Sequence, residues 1–489
     1  MIGFKLNHRF IELAKNTSLT IEAQNPLLFR DKIPGTKTFN FNALLSKQNQ
    51  RDFGFAELTT IPSIVNKYEN VEMFLQNIAY QKGTLKLKSI KPKEYAFNFI
   101  SNAGDLSQKL GDKTISDLGF NDETVVYNTT QNYPDSRYVF FPVYNPNFYG
   151  DKNQDYSGYM NYYHNGGLIA NSSQVNKHTR VPFPFVLTIL HKIAEEAGFT
   201  LQGTWLESNV AKKAVILNTL SLDELSAGTN VFKTNFNISN HLPNIKQSSF
   251  LIEIQILLGL YFKINSREKT IEIITIKDKI NDNSYLDLSK ATAKNYNDKI
   301  PNAYDGAEFI QQEDSNDEIS KQSPWLRHKI GNGKMKIQTS ASTVADINIT
   351  DNENARNWQI PHVEISGSGD EFELGEKRGN LRIAFFDGMD QDSLGNDYPR
   401  GTYEIAETSL RWGLTNGIVN NAYQDYLAFK ENTETITKEA NLNLIQFLNL
   451  QIDQKILDNG VKYFIESIST DASRAGLGKS QLKLNRIFY

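Results

Sequence analysis

The sequence predicts an α+β chain, mostly β, in which two small antiparallel β-barrel domains flank an inserted α+β region of helix–strand units. Three observations predict it. Short alternating apolar–polar runs separated by turn residues stand at both ends of the chain, two helix-then-strand units stand in the middle, and an aromatic stretch without helical or strand period lies between them. A chain of 489 residues has material for about three domains at roughly 100–200 residues each. Hydrophobic residues at 39% and aromatics at 11%, against 22% charged, supply enough apolar surface to offset chain entropy, which excludes a disordered chain. The net charge of -4 excludes a general grip on DNA or anionic membrane through counterion release. Cysteine is absent, which removes disulfides, thiolate zinc sites, iron–sulfur clusters and thiol nucleophiles together. Stability has to come from packing or oligomerisation.

Residues 1–100 form the first β region. Alternation in Leu19 to Glu22, in Thr38-Phe39-Asn40-Phe41 and in Thr84-Leu85-Lys86-Leu87-Lys88, with Pro34-Gly35 as turn material and Tyr95-Ala96-Phe97-Asn98-Phe99 closing the set, gives strands suited to a small barrel. One helix is expected, around Val71 to Ile78. Residues 101–180 form an irregular insertion rich in aromatics, Asn and Gly. Its rings at Phe141, Tyr144, Phe148, Tyr149, Tyr156, Tyr159, Tyr162 and Tyr163 follow no period that would bury them on a local helix or sheet, so they are expected to form an interface arm that orders on a neighbouring protein. The alternative is a loop folded back on its own domain through the same rings.

Residues 181–299 hold the two helix–strand units. In the first, Pro182 and Pro184 precede a stripe of Phe185, Ile189 and Ile193 with Val186, Leu190 and Ala194 beside it, and Gly198 stops the helix before Phe199-Thr200-Leu201. In the second, Ser248 or Ser249 caps a helix through Phe250, Leu251, Ile254, Leu257 and Leu258; Gly259 ends it, and Leu260 to Ile264 and Thr270 to Ile276 form a hairpin across Asn265-Ser266-Arg267-Glu268. Both helices should lie on one small sheet. The apolar run from Phe250 to Phe262, interrupted by Glu253 and Gln255, is too short to span a bilayer, so no membrane-spanning segment is expected.

Residues 300–489 return to β. Alternation in Lys334-Met335-Lys336-Ile337 and Leu381-Arg382-Ile383-Ala384-Phe385 is followed by a hairpin from Lys455 to Ile465 on the Asn459-Gly460 turn, and Gln481 to Ile487 supply the last strand. These closing strands should complete the second barrel.

Catalytic and metal-binding patterns are missing. The histidines His8, His164, His178, His191, His241, His328 and His362 show no i, i+4 pair and no adjoining carboxylate motif, so a zinc site has no support. Gly331-Asn332-Gly333-Lys334 lacks the length and the hydroxyl of a phosphate loop, and Ser366-Gly367-Ser368-Gly369 is no nucleophile elbow. Asp151, Asn153, Asp155 and Ser157 have calcium-loop spacing but carry Tyr156 at the glycine position and Tyr162 at the terminal-Glu position; Asp387, Asp390, Asp392 and Asp397 also lack the terminal Glu. Solvated loop acids are expected, with no cofactor and no required metal. The N-terminal residues contain no apolar core of signal-peptide length, so synthesis in the cytoplasm is expected.

Gln81-Lys82-Gly83-Thr84-Leu85-Lys86-Leu87, the helix-plus-hairpin from Ser248 to Ile276, and Gly460-Val461-Lys462-Tyr463-Phe464-Ile465-Glu466-Ser467-Ile468, set in this order of parts, resemble the tail or baseplate hub proteins of bacteriophages, also seen in phage-derived contractile secretion machines. The style is similar to tail proteins in phages and prophages of Bacteroidota. The resemblance implies two β-barrel hub domains with α+β material between them, three copies forming a ring of six barrels around a channel beneath the tail tube. It further implies a non-enzymatic virion protein of the tail, made in the host bacterial cytoplasm. Such a homotrimer connects the tail tube or a distal tail protein to spike or fibre proteins and lines the ejection route for DNA, which passes without specific binding. A three-fold ring also agrees with a cysteine-free chain whose small barrels leave sheet edges to be covered. The alternative is a receptor- or glycan-binding tail protein with the tyrosines stacking on sugars, and the third reading is a polysaccharide-degrading enzyme.

Overall fold

The computed structural model describes residues 2–488 apart from 16, 39–40, 61–64, 128–129, 150–154, 170–176, 227–228, 322, 368–378 and 474. Strands hold 41% of residues and helices 19%, the α+β, mostly β class that the sequence predicts. The first strands are β1 (Ile2–Leu6), β2 (Arg9–Phe10), β3 (Ser18–Gln24), β4 (Thr36–Thr38), β5 (Phe41–Leu44), β6 (Lys67–Leu75), β7 (Ile78–Lys91) and β8 (Glu94–Ser101). β1 pairs with β6, β6 with β7, β7 with β8 and β8 with β5, all antiparallel. The chain after β1 returns and closes this path. β2 pairs with β1, the Ile11 N–H donates to the Phe4 carbonyl at 2.8 Å, and at the next residue the chain has crossed to β5, where the Leu44 N–H donates to the Glu12 carbonyl at 2.9 Å. The first barrel is therefore a hydrogen-bonded circuit filled with aromatics: Phe4 stacks on Phe41 with ring centres 4.3 Å apart, and Phe53 packs on Phe97 at 4.8 Å.

The helix expected around Val71 to Ile78 is a hairpin instead. Val71, Met73 and Leu75 are buried at alternate positions, the period of a strand, and Gln76 and Asn77 both take positive φ (47° and 70°) to make a two-residue turn into β7. A glutamine in the left-handed region is an uncommon turn signal, which hides the hairpin in the sequence.

In the middle, α1 (Val186–Glu196), β9 (Thr200–Gln202), α2 (Gln247–Leu257), β10 (Leu260–Asn265) and β11 (Thr270–Thr275) follow the two predicted units. β9 lies parallel to β11, which is antiparallel to β10, so the two helix–strand units share one three-stranded sheet. Gly198 and Gly259 end the helices with φ of 71° and 62°. The start of α2 differs from expectation: its cap is Lys246, without a side-chain cap bond, and the buried Gln247 donates to the Thr114 carbonyl at 3.1 Å. Burial of Gln247 against the 101–180 segment sets the helix start, which neither Ser248 nor Ser249 does.

The second barrel uses β12 (Tyr285–Asp287), β13 (Asp298–Ile300), β14 (Thr435–Ala440), β15 (Lys455–Asp458), β16 (Val461–Ser473) and β17 (Gly476–Arg486). β14, β17, β16 and β15 pair in that order, antiparallel, and β12 joins β15 in parallel. The chain leaving β12 crosses to the far edge, where the Ala293 N–H donates to the Glu439 carbonyl at 2.8 Å and β13 pairs with β14. That completes a second circuit closed, like the first, by one bent strand. Asn459 and Gly460 turn between β15 and β16 with φ of 49° and 81°, the Asn-Gly hairpin read from the sequence.

The two barrels are one sheet. β3 pairs with β16 from Ser18↔Ser473 to Gln24↔Ser467 and, on its other side, with β4, which pairs with β8. A single apolar cluster accordingly contains Phe4 and Phe97 from the first barrel with Ile465 and Leu482 from the second. The joint is locked by Asn25, fully buried, which donates its amide to the Ile465 carbonyl at 2.8 Å and accepts from the Leu27 N–H at 3.0 Å. Asn25→Ala leaves the Ile465 carbonyl buried without that donor, and it should lower unfolding free energy by about 2–3 kcal/mol, read from urea unfolding followed by tryptophan fluorescence.

Candidate functional site

The eight aromatics singled out in the 101–180 segment come together, but inside the molecule. Val143–Tyr144 pairs antiparallel with Tyr159–Met160 and, through Tyr144↔His362, parallel with the strand Arg356–His362; Tyr138–Val139 pairs with Phe183–Pro184. The segment is thus stitched to chain both before and after the second helix–strand unit. Phe141, Phe148, Tyr149, Tyr159, Tyr162 and Tyr163 are buried, and Tyr144 and Tyr156 are half-buried. Phe141 packs on Phe183 at 4.5 Å and lies so close on Gly401 that a Cβ there would stand 2.2 Å from the ring. Tyr149 packs on Tyr156 at 4.9 Å, and Tyr159 on Trp358 at 5.4 Å. The interface arm expected from the sequence gives way to the alternative, a segment folded on its own domain through its rings. Glycan stacking loses its ground for the same reason, since a sugar needs a ring face open to solvent.

An irregular buried segment has to satisfy its backbone without long ladders, and asparagine does so here. Asn145 donates to the Ile365 carbonyl at 2.9 Å and accepts from the Ile365 N–H at 3.1 Å, an imitation of a strand pair by a side chain. Asn161 treats Val181 in the same way, at 2.8 Å for both bonds, and also donates to the Phe141 carbonyl at 3.1 Å.

Around Tyr162 lies a buried polar cluster that the sequence does not announce. The guanidinium of Arg356 is 3.0 Å from Asp351 and 3.1 Å from Asp392, bonds the Tyr163 carbonyl, and sits over the Trp358 ring at 3.9 Å. Tyr162 donates to Asp351 at 2.5 Å. Burial pushes the Asp351 carboxyl up, but hydrogen bonds from Tyr162, Asn354 and Arg356 outweigh it and hold the group below its ordinary range. His178 stacks flat on Tyr162 at 4.2 Å and shares a 2.8 Å bond with the Ser157 hydroxyl; burial, then the charge of Lys177, pulls its pKa down to about 4. Every charge in this set is engaged by neighbours in the chain, which is the arrangement of a structural cluster.

The remaining acids divide. Asp392 caps its own turn, accepting from the Leu394 and Asn396 N–H groups at 2.9 Å, while Asp387 pairs with Lys213 and Asp390 with Arg400. They point to separate partners, as solvated or paired loop acids do. Asp151 and Asn153 lie outside the described residues. Among the described residues, large exposed apolar side chains gather on the two barrels: Phe10, Leu44 and Ile78 on the first, Tyr285, Tyr296 and Ile300 on the second. Sequence reasoning missed these because most sit beside a buried or partly buried apolar neighbour, such as Ile11 after Phe10 or Leu45 after Leu44, and the local sequence does not say which of the two faces solvent.

Two outcomes follow from this arrangement. Replacing Tyr159, Tyr162 and Tyr163 together by Ser removes three buried rings at about 3–5 kcal/mol each, comparable to the whole stability of a domain at about 5–15 kcal/mol, so the variant should lose its cooperative melt and its protease resistance. The second concerns Asp346, whose pKa burial pushes up to about 6 even though it accepts from Thr402 at 2.7 Å. Its folded pKa lies above the unfolded value, so the fold binds the proton more tightly, and the associated stability is present at pH 4 and is lost as pH rises through about 6. Asp346→Asn should therefore raise the melting temperature above pH 6 and match the parent chain near pH 4, read from paired melts across that range.

No protein-family model matches the chain, and no curated protein matches its sequence. Among solved structures, it is similar to the 43 kDa tail protein of prophage MuSo2 from Shewanella oneidensis, at 8% identity, covering 99% of this chain and 96% of that one with a TM-score of 0.38. It is similar also to a tail protein from Neisseria meningitidis, at 10% identity, 99% and 95% coverage and a TM-score of 0.36. A third is the prophage tail protein gp18 from Listeria monocytogenes, at 8% identity, 99% and 94% coverage and a TM-score of 0.36. Scores below 0.5 at such identities leave the functional reading to the architecture of the chain itself.

Proposed function

We propose that this chain is a structural component of a bacteriophage tail, a hub that joins the tail tube to the distal spike or fibres as a homotrimer and surrounds the route by which DNA leaves. The observation that carries the reading is the arrangement of the two barrels. They arise from opposite ends of the chain, each is closed by a bent strand, and β3 fuses them into one sheet around one core while the aromatic and helix–strand parts fill the interval between them. This is the order of parts that the resemblance to the hub family implies. Barrels fused at a fixed angle suit a load-bearing ring, because their relative orientation is set by a backbone ladder with no flexible linker between them.

Exposed apolar groups on the barrels support an assembled state. Clusters of large exposed apolar side chains mark surfaces that are covered in use, and each barrel carries several. The reading assigns no catalytic step. It is tested by electron microscopy of intact particles carrying a labelled copy of the chain: density for three copies around the tail axis below the tube is expected, and its placement elsewhere, or in two-fold or six-fold arrangement, overturns the proposal.

A further inference from the structure

Against the second barrel lies a cleft of about 640 Å³, within the range of about 300–1,000 Å³ that small-molecule sites occupy. Among the described residues, the charged groups that line it are Lys455, Lys462 and Arg486, with no carboxylate. The ladders explain the convergence. Lys455 lies opposite Phe464 and Leu457 opposite Lys462 across β15 and β16, and Tyr285 of β12 lies beside Lys455, so Tyr285, Lys455 and Lys462 share one face. Arg486 stands at the last rung of the β16–β17 ladder, opposite Tyr463. Apolar wall comes from Ile280, Val461, Ile487 and Phe488. Lys462 makes no ion pair among the described residues; its ammonium lies over the Tyr285 ring at 5.3 Å. Arg486 lies over the Phe488 ring at 4.3 Å and bonds Glu434 at 3.0 Å, a carboxylate that Lys299 also holds at 2.8 Å. Lys455 is buried and donates to the Ile280 carbonyl at 2.7 Å. Of the other acids close by, Asp282 is held by Lys279 at 3.3 Å and Asp287 by Ser289 at 2.6 Å, which leaves the cleft with an excess of positive charge. Tyr285 and Phe488 are 47% and 46% exposed, so both rings stay partly open beside their cations.

We propose that this cleft binds an organic phosphate whose phosphoryl group is attached to a flat ring, a ligand of nucleoside monophosphate type, with the phosphoryl group between Lys462 and Arg486 and the ring on Phe488. The buried Lys455 adds its field from beneath. A phosphomonoester brings about 1.5–2 negative charges near neutral pH and three acceptor oxygens, enough to serve cations on separate strands, whereas a carboxylate brings one charge. Open aromatic rings next to lysine and arginine recognise a stacked base and its phosphate together, the combination on which nucleotide binding relies. A free nucleotide and an exposed nucleotide of a single strand share this chemistry. The site needs one copy of the chain and is independent of the hub reading.

Calorimetric titration of the full-length protein with adenosine monophosphate at low salt tests it. Binding is expected, with inorganic phosphate and adenosine each weaker by about tenfold or more, since each lacks one half of the contact. Lys462→Gln and Phe488→Ser, made separately, should keep the parent melting temperature, neither side chain being buried. Each should weaken the monophosphate by about tenfold, the loss of one charge-assisted hydrogen bond or one stacked ring. A short oligothymidylate that binds more tightly than the monophosphate, and loses affinity equally in Lys462→Gln, supports the site with a strand as its source; one that binds no tighter supports it with the free nucleotide. No binding of the monophosphate, or binding that neither variant weakens, overturns the proposal. Inorganic phosphate that matches the monophosphate overturns the ring contact, and benzoate that matches it overturns the choice of phosphate.

Discussion

Everything else in the molecule hangs on the pairing of β3 with β16. Asn25 and Ile465, bonded at its end, are 440 residues apart in sequence, and the ladder from Ser18↔Ser473 to Gln24↔Ser467 is what converts two small barrels into one sheet with one core. Small β domains bury a modest fraction of their surface and are marginal alone; sharing a core relieves both. The same ladder fixes where the chain enters and leaves the middle body, so the helix–strand sheet and the aromatic segment are assembled on a frame whose two halves cannot move independently. The cost is kinetic. A strand made first must wait for one made last, and loop closure over that distance slows folding and leaves β3 an open edge until synthesis ends.

The middle body answers a different constraint. It has many short strands, so much of its backbone is buried without a neighbouring strand to pair with. Asparagine side chains stand in for the missing strands at 145, 161 and 218, where Asn218 donates to the Pro182 carbonyl at 2.8 Å and accepts from the Leu220 N–H at 2.9 Å. Buried arginines do the same at longer range. Arg382 holds Asp314 at 2.8 Å and also bonds Asp317, whose carboxylate accepts from the Glu364 N–H at 2.9 Å. Such clusters add little net stability over apolar packing, but breaking one leaves a charge buried without a counter-charge. They specify one arrangement of loops among many that hydrophobic burial alone would permit.

What the sequence made legible was local. The Asn459-Gly460 hairpin, the glycine stops at 198 and 259 and the stripe of α1 each reside in a few adjacent residues, and all are present. Barrel strands were legible at both ends through alternation. Apart from the unusual Gln76-Asn77 turn, the misreadings come from partners distant in sequence. Val71 to Ile78 gives a strand because β1 and β7 flank it, Ser248 does not cap α2 because Gln247 is drawn to Thr114, and the rings from Phe141 to Tyr163 are buried by Trp358, Phe183 and Gly401. A tyrosine that covers a neighbouring protein and one that covers a strand two hundred residues away have the same local sequence, which is why the aromatic segment read as an outward surface.

That reversal relocates the question of assembly. The middle body encloses its aromatic rings, whereas the barrels leave Phe10, Tyr285, Tyr296 and Ile300 in solvent. Exposed apolar groups on a rigid sheet lose little entropy when they are covered, because the backbone beneath them is already fixed. The same groups on loops would have to be ordered at the moment of contact. A fused pair of barrels with exposed apolar groups is thus suited to contacts that repeat with a fixed angle from copy to copy, because the β3–β16 ladder and the core the barrels share hold the two in one orientation.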